Sequence, residues 1–314
     1  MCVMDAIKIG DELRGVPARF MRGGTSKGLF FRWEDLPEDR DAFLCAALGS
    51  PDPNGRQLDG MGGGISSLSK AMMVRRSDRD GVDIDYLFGQ VAVDKPVVDY
   101  ASNCGNLSSA VGAFAVDMGF VQLPDGSGVV RMFNENTSKR IDCHLTVRGG
   151  LAAVAGDQDI AGVAGQGSAI RLDFLDPGGA RTGRLLPTGG PVDQVEGVAA
   201  SFVDAGNPCI FVPAEALGLT GCELTAEIGA LGEVMDRLEA VRRALGVALG
   251  FAERSADVPE SAPKIALIGP PGPSATLAGE TLAAADCDVQ VRMISMAVPH
   301  LAFPLTGAMA VAVA

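Results

Sequence analysis

Metal-binding patterns are missing from this chain. Its 314 residues include two histidines and seven cysteines, with no CxxC pair and no HxxxH pair. Zinc sites are built from closely spaced groups of these residues, so we predict no metal site. The cysteines are irregularly spaced and odd in number, which suits a reducing cytosol better than a disulfide framework.

Positive charge and long apolar runs are also scarce. The net charge is −13, with acidic residues spread along the chain and no basic run. This balance argues against nucleic acids and anionic membranes as partners. No run of about 18 apolar residues suggests a membrane span. Residues 1–15 lack the charged start and apolar core of a secretory signal, so we expect a cytoplasmic protein.

Glycine and apolar residues are abundant enough for a large core. The chain contains 41 glycines and 47% hydrophobic residues. Strand-like runs separated by turn residues dominate residues 18–133. Helical patterns cover 36–48, 106–118 and 224–251. At this length the chain forms one large domain or two.

A weak internal repeat favours two domains. ARFMRGGTSKGLFF at 18–31 aligns with ASFVDAGNPCIFVP at 200–213, and AVGAFAV at 110–116 aligns with LTGAMAV at 305–311. Each half then has a strand–turn–strand unit and a later helix of small residues. Chance agreement among small residues is the alternative.

The repeat predicts where the halves meet and how their helices align. A boundary in the LLPTGGP stretch gives an N-terminal half at 1–190 and a C-terminal half at 191–314. The second alignment places His300 opposite Gly105, at the start of the first helix. It leaves residues 120–147 without a counterpart. We therefore predict that the second half is cut short at its C-terminus, and that it is less stable or depends on a partner chain.

The stretch GGTSKG at 23–28 is a Gly-rich turn. A P-loop has its lysine directly after the last glycine and continues as a helix, whereas Lys27 precedes the glycine and a strand-like run follows. With Arg22, Thr25 and Ser26, the N–H groups of this turn could cradle an anion. An ordinary hairpin turn with a solvated lysine is the alternative.

Lys70 follows three serines and precedes an apolar run, which places it near the end of a strand. A lysine at such a position is usually a solvated surface charge. If the side chain is partly buried, loss of hydration lowers the pKa of the ammonium, and the neutral amine can then accept a proton. The residues alone leave both interpretations open.

Cys104, in SNCGN at 102–106, stands just before a predicted helix. The positive end of the helix dipole favours its thiolate, and the N–H groups of Gly105, Asn106 and Leu107 could bind a carboxylate. A nucleophilic cysteine would need one of the two histidines as its partner. A proton-carrying cysteine needs only a second acid or base across the substrate.

Several long motifs resemble those of a known family. RFMRGGTSKGLFF, GSPDPNGRQLDGMGGGISSLSK, NCGNLSSAVGAFAV and SMAVPH together resemble the 2-methylaconitate cis–trans isomerase family, which includes 4-oxalomesaconate and methylitaconate isomerases. The resemblance is strongest over 17–120. It implies an α+β, diaminopimelate epimerase-like fold, in which two pseudo-symmetric halves each wrap a mostly antiparallel sheet around a central helix. It also implies a site between the halves, and neither a metal nor a cofactor.

The resemblance assigns roles to individual residues. The family's acid/base lysine falls on Lys70, its active-site cysteine on Cys104 and its late histidine on His300. Its anion-binding turn falls on 23–27. The substrate-binding residues so implied are Arg22, Gly23, Gly24, Thr25, Ser26, Lys27, Ser69, Asn103, Gly105, Asn106, Ser295, Met296 and His300.

The substrate class implied by the resemblance is a small unsaturated tricarboxylate. The neutral amine of Lys70 would remove an allylic proton, in a 2-methylaconitate cis–trans isomerase reaction. The alternatives are a 4-oxalomesaconate isomerase, an amino-acid epimerase of the same fold and a non-catalytic partner protein. The segment VPHLAFPLTGAM has no second cysteine, which disfavours a two-cysteine epimerase. A homodimer is a further possibility that the sequence does not decide.

Overall fold

The computed structural model describes residues 7–8 and 14–314 of the chain. Residues 1–6 and 9–13 lie outside the described part, and with them most of the segment on which the secretory-signal prediction rests. The chain divides into two compact units, and the boundary follows Asp176.

This boundary comes before residue 190, near which the repeat placed it. The N–H of Gly179 donates to the carbonyl of Asp204 over 2.8 Å, and the N–H of Gly206 donates to the carbonyl of Pro177 over 2.8 Å. The Asp204 carboxylate accepts two further N–H groups from the same segment. These long-range bonds, which the sequence does not reveal, tie the segment before 190 to the second unit.

The first unit is built on one large sheet. Its strands in the described residues are β1 (Ile7–Lys8), β2 (Arg14–Gly15), β3 (Arg19–Gly23), β4 (Ser26–Arg32), β5 (Lys70–Arg76), β6 (Ile84–Val91), β7 (Val98–Asp99), β8 (Gly126–Asn134), β9 (Lys139–Arg148), β10 (Leu151–Ala152) and β11 (Arg171–Phe174). Its helices are α1 (Arg40–Leu48) and α2 (Gly105–Asp117). The sheet runs β10-β9-β8-β6-β5-β4-β3, with β11 against β9 and β7 against β6. The pairs β4/β5 and β6/β8 are parallel, while β1 and β2 form a separate antiparallel pair.

Helices α1 and α2 pack on opposite faces of this sheet. Because side chains alternate along a strand, Phe30 and Met72 belong to the core beneath α2, whereas Leu29 belongs to the core beneath α1. Small residues let α2 lie close to the sheet, since a Cβ on Gly112 would come within 2.5 Å of the Cys143 sulfur. The sheet therefore surrounds α2 closely, and the start of α2 is held against the ends of its strands.

The second unit has its own sheet and core. Its strands are β12 (Asp193–Val195), β13 (Val198–Asp204), β14 (Pro208–Pro213), β15 (Lys264–Gly269), β16 (Ser274–Ala275), β17 (Thr281–Leu282), β18 (Gln290–Ser295) and β19 (Val298–Pro299). Its helices are α3 (Thr225–Gly229), α4 (Gly232–Ala248) and α5 (Leu305–Val311). The sheet order is β12-β13-β14-β15-β18-β19, and β16 pairs with β17. Helix α4 covers the face that carries Ile265 and Leu267, and α5 covers the face that carries Ala266 and Met293.

The topology repeats between the units, which confirms the predicted internal repeat. Strands β3 to β7 pair antiparallel, parallel, antiparallel and antiparallel in turn. Strands β13, β14, β15, β18 and β19 pair in the same way. Each set precedes a helix rich in small residues, α2 or α5. A lysine begins the third strand of each set, Lys70 in β5 and Lys264 in β15.

The two helices align differently from the sequence prediction, which placed His300 opposite Gly105. Helix α5 starts only after its N-cap, Pro304. In the first unit Asn106, at the start of α2, donates through Nδ2 to Thr25 Oγ1 in the β3–β4 turn over 2.9 Å. In the second unit Asn207, in the equivalent β13–β14 turn, donates through Nδ2 to Thr306 Oγ1 over 3.0 Å. Thr306 is therefore the counterpart of Asn106. His300 lies in the loop between β19, which ends at Pro299, and α5, which begins at Leu305.

Two predicted helices are shorter than expected. The pattern over 36–48 becomes helical at Arg40, after a 3-10 turn and a proline. The pattern over 224–251 is divided into α3 and α4, with glycines at 229 and 232 on either side of the break. Glycine is a poor helix former, so the division has a local cause.

Candidate active site

The β3–β4 turn touches the first residues of α2. A Cβ on Gly23 would lie 2.5 Å from the carbonyl oxygen of Asn106, and Gly24 has a positive φ of 53°. Only glycine allows this approach and this backbone conformation without strain. The Asn106 side chain also donates to Thr25 over 2.9 Å. The Gly-rich turn and the helix start therefore form one structure.

Cys104 is the N-cap residue of α2. Its Sγ accepts the N–H of Leu107 over 3.4 Å, and its thiol lies 3.7 Å from Ser26 Oγ. The N–H groups of Gly105 and Asn106 belong to the first turn, whose N–H groups have no acceptor within a helix. Together with the helix dipole, these groups favour a bound anion at the start of α2. The predicted position of Cys104 at a helix start is confirmed.

A buried polar network holds the N-cap in place. The side chain of Ser108 donates to the carbonyl of Cys104 over 2.9 Å and lies 2.8 Å from the hydroxyl of Tyr86. Asn134 Nδ2 in turn donates to Tyr86 over 2.7 Å. Asn103, also buried, has its Oδ1 3.4 Å from the same serine. Asn103 thus supports the backbone around Cys104.

Lys70 is the first residue of β5 and is buried, with 6% of its surface exposed. It lies on the face of the sheet that α2 covers, because Met72 lies there and side chains alternate. Its Nζ donates to Gln90 Oε1 over 2.5 Å and stands 4.9 Å from the centre of the Phe88 ring. Burial lowers the pKa of Lys70, and the nearby Cys104 opposes this by a smaller amount. Of the two interpretations left open by the sequence, the buried lysine is the one observed.

Gln90 is a site residue that the sequence did not indicate. Its Nε2 donates to the carbonyls of Ser66 and Ser69 over 3.0 and 2.9 Å, so its Oε1 must face Lys70. Ser69 is itself buried and accepts a hydrogen bond from Gln57 over 2.8 Å. The neutral amide partner matters chemically, because a carboxylate in its place would favour the charged lysine.

Arg22 and Lys27 lie on the other face of the β3–β4 hairpin. The two residues are directly opposite each other across the strands. Their neighbours Gly23 and Ser26 face α2, so strand alternation directs Arg22 and Lys27 away from it. Lys27 Nζ stands 5.4 Å above the ring of Phe20. Arg22 Nη1 donates to the carbonyl of Gly24 over 2.9 Å, so its guanidinium lies at the Gly-rich turn. That Arg22 and Lys27 bind substrate carboxylates stays a prediction.

Three expected site residues belong to the second unit. Ser295, the last residue of β18, is buried and accepts a hydrogen bond from Lys264 over 2.8 Å. Met296 follows with a positive φ of 54°, in the turn between β18 and β19. The Nδ1 of His300 accepts the N–H of Ala302 over 3.2 Å.

His144 does not act as a partner of Cys104. Its Nε2 lies 2.8 Å from a carboxylate oxygen of Asp173. The preceding residue of β9, Cys143, packs in the core beneath α2, so His144 points to the other face of the sheet. Across residues 7–8 and 14–314, no group of three His, Cys, Asp or Glu side chains is placed to hold a metal ion. Over the same residues, no helix combines the length and the apolar character needed to cross a bilayer.

The comparison with known proteins decides the family. A family model described as PrpF protein matches residues 13–314. The chain belongs to the PrpF family. It is 40% identical over 320 residues to a 2-methyl-aconitate isomerase of Shewanella oneidensis, a match that covers 95% of this chain and 81% of that one. It is 42% identical over 264 residues to a (4E)-oxalomesaconate Delta-isomerase of a Novosphingobium species, covering 83% and 72% of the two chains.

A solved structure shows the same fold. The crystal structure of methylitaconate-delta-isomerase superposes with a TM-score of 0.73 at 37% sequence identity, and the match covers 93% of this chain and 78% of that one. The predicted fold class, α+β and diaminopimelate epimerase-like with two pseudo-symmetric halves, is confirmed. This PrpF-family protein is an isomerase.

Alkylation should distinguish Cys104 from the buried cysteines. Iodoacetamide at neutral pH should label Cys104 before the buried cysteines, because Cys104 is partly exposed and its sulfur lies at the start of α2, where it accepts the N–H of Leu107. Burial raises the pKa of Cys45, and it raises the pKa of Cys143 and Cys209 to about 12, so these thiols should react slowly. Mass spectrometry of peptides over a time course measures the order.

The partly exposed cysteines Cys222 and Cys287 are the matched controls. Both are partly exposed, like Cys104, but neither stands at the start of an α-helix. If Cys104 is alkylated no faster than these two, its position at the helix start does not activate it.

Proposed function

We propose that this protein transfers a proton on a small unsaturated tricarboxylate, as a 2-methylaconitate cis–trans isomerase without a cofactor. Relatives named 2-methyl-aconitate isomerase and (4E)-oxalomesaconate Delta-isomerase support this class of substrate. The observation that carries the proposal is Lys70, a buried lysine at a strand end whose hydrogen-bond partner is the neutral amide of Gln90. Burial lowers the pKa of Lys70, and Cys104, at the start of α2, is close enough to raise it by a smaller amount.

In the proposed reaction the neutral amine of Lys70 takes an allylic proton from the substrate. The electron pair of the C–H bond moves through the neighbouring double bond into a carboxylate or keto group, which gives a dienolate and a Lys70 ammonium. Burial supports this step because it lowers the pKa of Lys70 and so increases the neutral fraction. The hydrogen bond to Gln90 fixes one N–H of the amine and leaves its lone pair for the substrate.

The negative charge of the dienolate needs positive groups near it. The N–H groups of Gly105 and Asn106, at the positive end of α2, are the groups we assign to this role. The turn at Gly24 packs against Asn106, so the backbone of this turn also lies at the start of α2. A general base contributes about 10²- to 10⁴-fold to the rate, so these preorganised dipoles must supply a larger share.

The proton can return in two ways. Protonation of the original carbon after rotation about the weakened double bond exchanges cis and trans isomers, and protonation of the far carbon shifts the double bond, as a 4-oxalomesaconate isomerase would. Cys104 either donates this proton or orients the substrate.

An amino-acid epimerase with two cysteines is the less favoured alternative. Such an enzyme would carry a second cysteine at the start of the helix in the second unit, where Pro304 is the N-cap. A non-catalytic partner protein is disfavoured as well, because a binding role needs neither the buried Lys70 nor the N-cap Cys104.

Isotope exchange tests the proposal directly. The protein is incubated in D₂O with 2-methylaconitate or 4-oxalomesaconate, and in parallel with the dicarboxylate 3-methylitaconate, and proton NMR follows isomer ratio and deuterium content. We expect isomerisation of at least one of the two tricarboxylates, with deuterium entering its allylic position. A protein that neither isomerises nor exchanges either tricarboxylate contradicts the proposal, whereas exchange at the α-carbon of a chiral amino acid supports the epimerase.

A further inference from the structure

Gln57 is a buried glutamine in an otherwise exposed part of the chain. It lies in the long connection between α1 and β5, where residues 53–56, Leu58 and Asp59 are all exposed. Only 1% of the Gln57 surface is exposed, and its φ is 53°, in the left-handed region that residues with a side chain seldom adopt. Such a conformation costs stability and persists only where the surrounding contacts fix it. The fold therefore holds this side chain inside against the local preference of the chain.

Hydrogen bonds hold the Gln57 residue at both its backbone and its amide. Its N–H donates to the Asp52 carboxylate over 2.6 Å, and its Oε1 accepts the N–H of Gly64 over 3.0 Å. Its Nε2 donates to Ser69 Oγ over 2.8 Å. A Cβ on Gly62 would clash with the same amide, so glycine is required there. The Gln57 amide thus ties the connection to Ser69, the residue directly before Lys70.

Ser69 is linked to Lys70 through Gln90. The carbonyls of Ser66 and Ser69 accept hydrogen bonds from Gln90 Nε2, and Gln90 Oε1 accepts one from Lys70 Nζ over 2.5 Å. An amide turned the other way would present its N–H groups to Lys70. Such an N–H would bind the lone pair of the neutral amine, which is the electron pair that must take the proton. The two serine carbonyls therefore determine whether this lone pair is available.

We propose that Gln57 is a positioning residue for Lys70, which fixes Ser69 and so holds the carbonyls that turn Gln90 Oε1 toward the lysine. The inference rests on the proposed function, because it treats Lys70 as the base. All of the hydrogen bonds on which it depends lie within the first unit. A residue that only stabilised the connection would affect folding but not the protonation of Lys70.

Gln57→Met should lower the pKa of Lys70. Methionine has a similar length but cannot donate to Ser69, so Gln90 should lose its fixed orientation and the Lys70 ammonium part of its hydrogen bond. We expect the pKa to fall by about 1 unit. The rising limb of kcat should then move to lower pH, and its plateau should fall about 10-fold because a reacting group is misplaced. Cys104, the titratable group that acts on Lys70, is unchanged in this variant.

The ¹³Cε chemical shift of Lys70, titrated in lysine-labelled protein without substrate, measures this pKa, and the Lys70→Met spectrum assigns the signal. Gln90→Met should lower the pKa by a similar amount. The double variant Gln57→Met/Gln90→Met should show no further shift, because both changes act through the same contact. Gln122→Met is the matched control, since it makes the same replacement at an exposed glutamine and should leave the pKa unchanged.

Two results would overturn the inference. The first is a Gln57→Met protein whose Lys70 pKa equals or exceeds that of the wild type, whatever its melting temperature. The second is a double variant in which the two shifts add in full, because Gln57 would then act on Lys70 by a route that does not pass through Gln90. If Gln57→Met does not fold, Ser69→Ala removes the same hydrogen bond from the acceptor side, and the same outcomes apply to it.

The titration also separates this inference from the proposed function, because it needs no substrate. If the wild type turns over neither tricarboxylate but the Lys70 pKa falls in Gln57→Met and does not fall further in the double variant, the proposed function fails and the role of Gln57 stands. If the wild type turns over a tricarboxylate and the Lys70 pKa of Gln57→Met is unchanged, the proposed function stands and the role of Gln57 is overturned.

Discussion

Lys70→Met should abolish both turnover and the exchange of solvent deuterium into the substrate. The amine of Lys70 is the proposed base, and loss of a general base typically costs about 10²- to 10⁴-fold in rate. Methionine has nearly the same length and no charge, so it can fill the space between Gln90 and the Phe88 ring without adding an ion. Proton NMR in D₂O measures exchange and turnover in one experiment.

Stability and binding serve as controls for Lys70→Met. Replacing a buried ammonium by an apolar side chain is often neutral or stabilising, so the melting temperature should not fall. Lys70→Arg keeps the charge but not a neutral amine, and it should be as inactive as Lys70→Met. Deuterium exchange at a rate near that of the wild type in either variant would show that another residue takes the proton.

Gln90→Glu should shift the activity of the enzyme to higher pH. In the wild type burial lowers the pKa of Lys70, and the activity should rise as the pH rises through that pKa. A carboxylate at the position of Oε1, 2.5 Å from Nζ, favours the ammonium and typically raises the pKa by about 1–3 units. At neutral pH the neutral fraction, and with it kcat, should therefore fall by about 10- to 10³-fold.

The pH dependence of kcat distinguishes this effect from damage to the site. Activity of Gln90→Glu should return as the pH approaches the new, higher pKa. Gln90→Met removes the hydrogen bond without adding a charge, and its profile should not move to higher pH. If the profiles of Gln90→Glu and the wild type coincide, Lys70 is not the group whose ionisation limits the rate.

The sequence alone was sufficient for the local features of the site. Cys104 was expected at the start of a helix over 106–118, and α2 spans Gly105–Asp117 with Cys104 as its N-cap. The strand that begins at Lys70 and the Gly-rich turn before β4 were also expected. Helix periodicity, capping residues and turn residues act over a few neighbours, so these features are encoded in short stretches.

The fold itself came from the resemblance and the repeat. The order of strands around α2 and α5 follows no local rule, but long motifs such as NCGNLSSAVGAFAV identify a family whose topology is known. The same repeat misaligned the second helix, because it matched small residues that occur in both helices. The contact between Thr306 and the turn at Asn207 gives the correct alignment.

Only the tertiary structure decided the surroundings of the reactive groups. Gln90 lies 20 residues from Lys70 and reaches it through the register of β5 against β6. That register also determines whether Lys70 is buried, and the pairing of β3 with β4 turns Arg22 and Lys27 to the far face. Short stretches of sequence specify turns, caps and strands. Which side chains meet across a sheet, and which are removed from water, depends on the pairing of distant strands, and so the protonation state of Lys70 is a property of the folded chain.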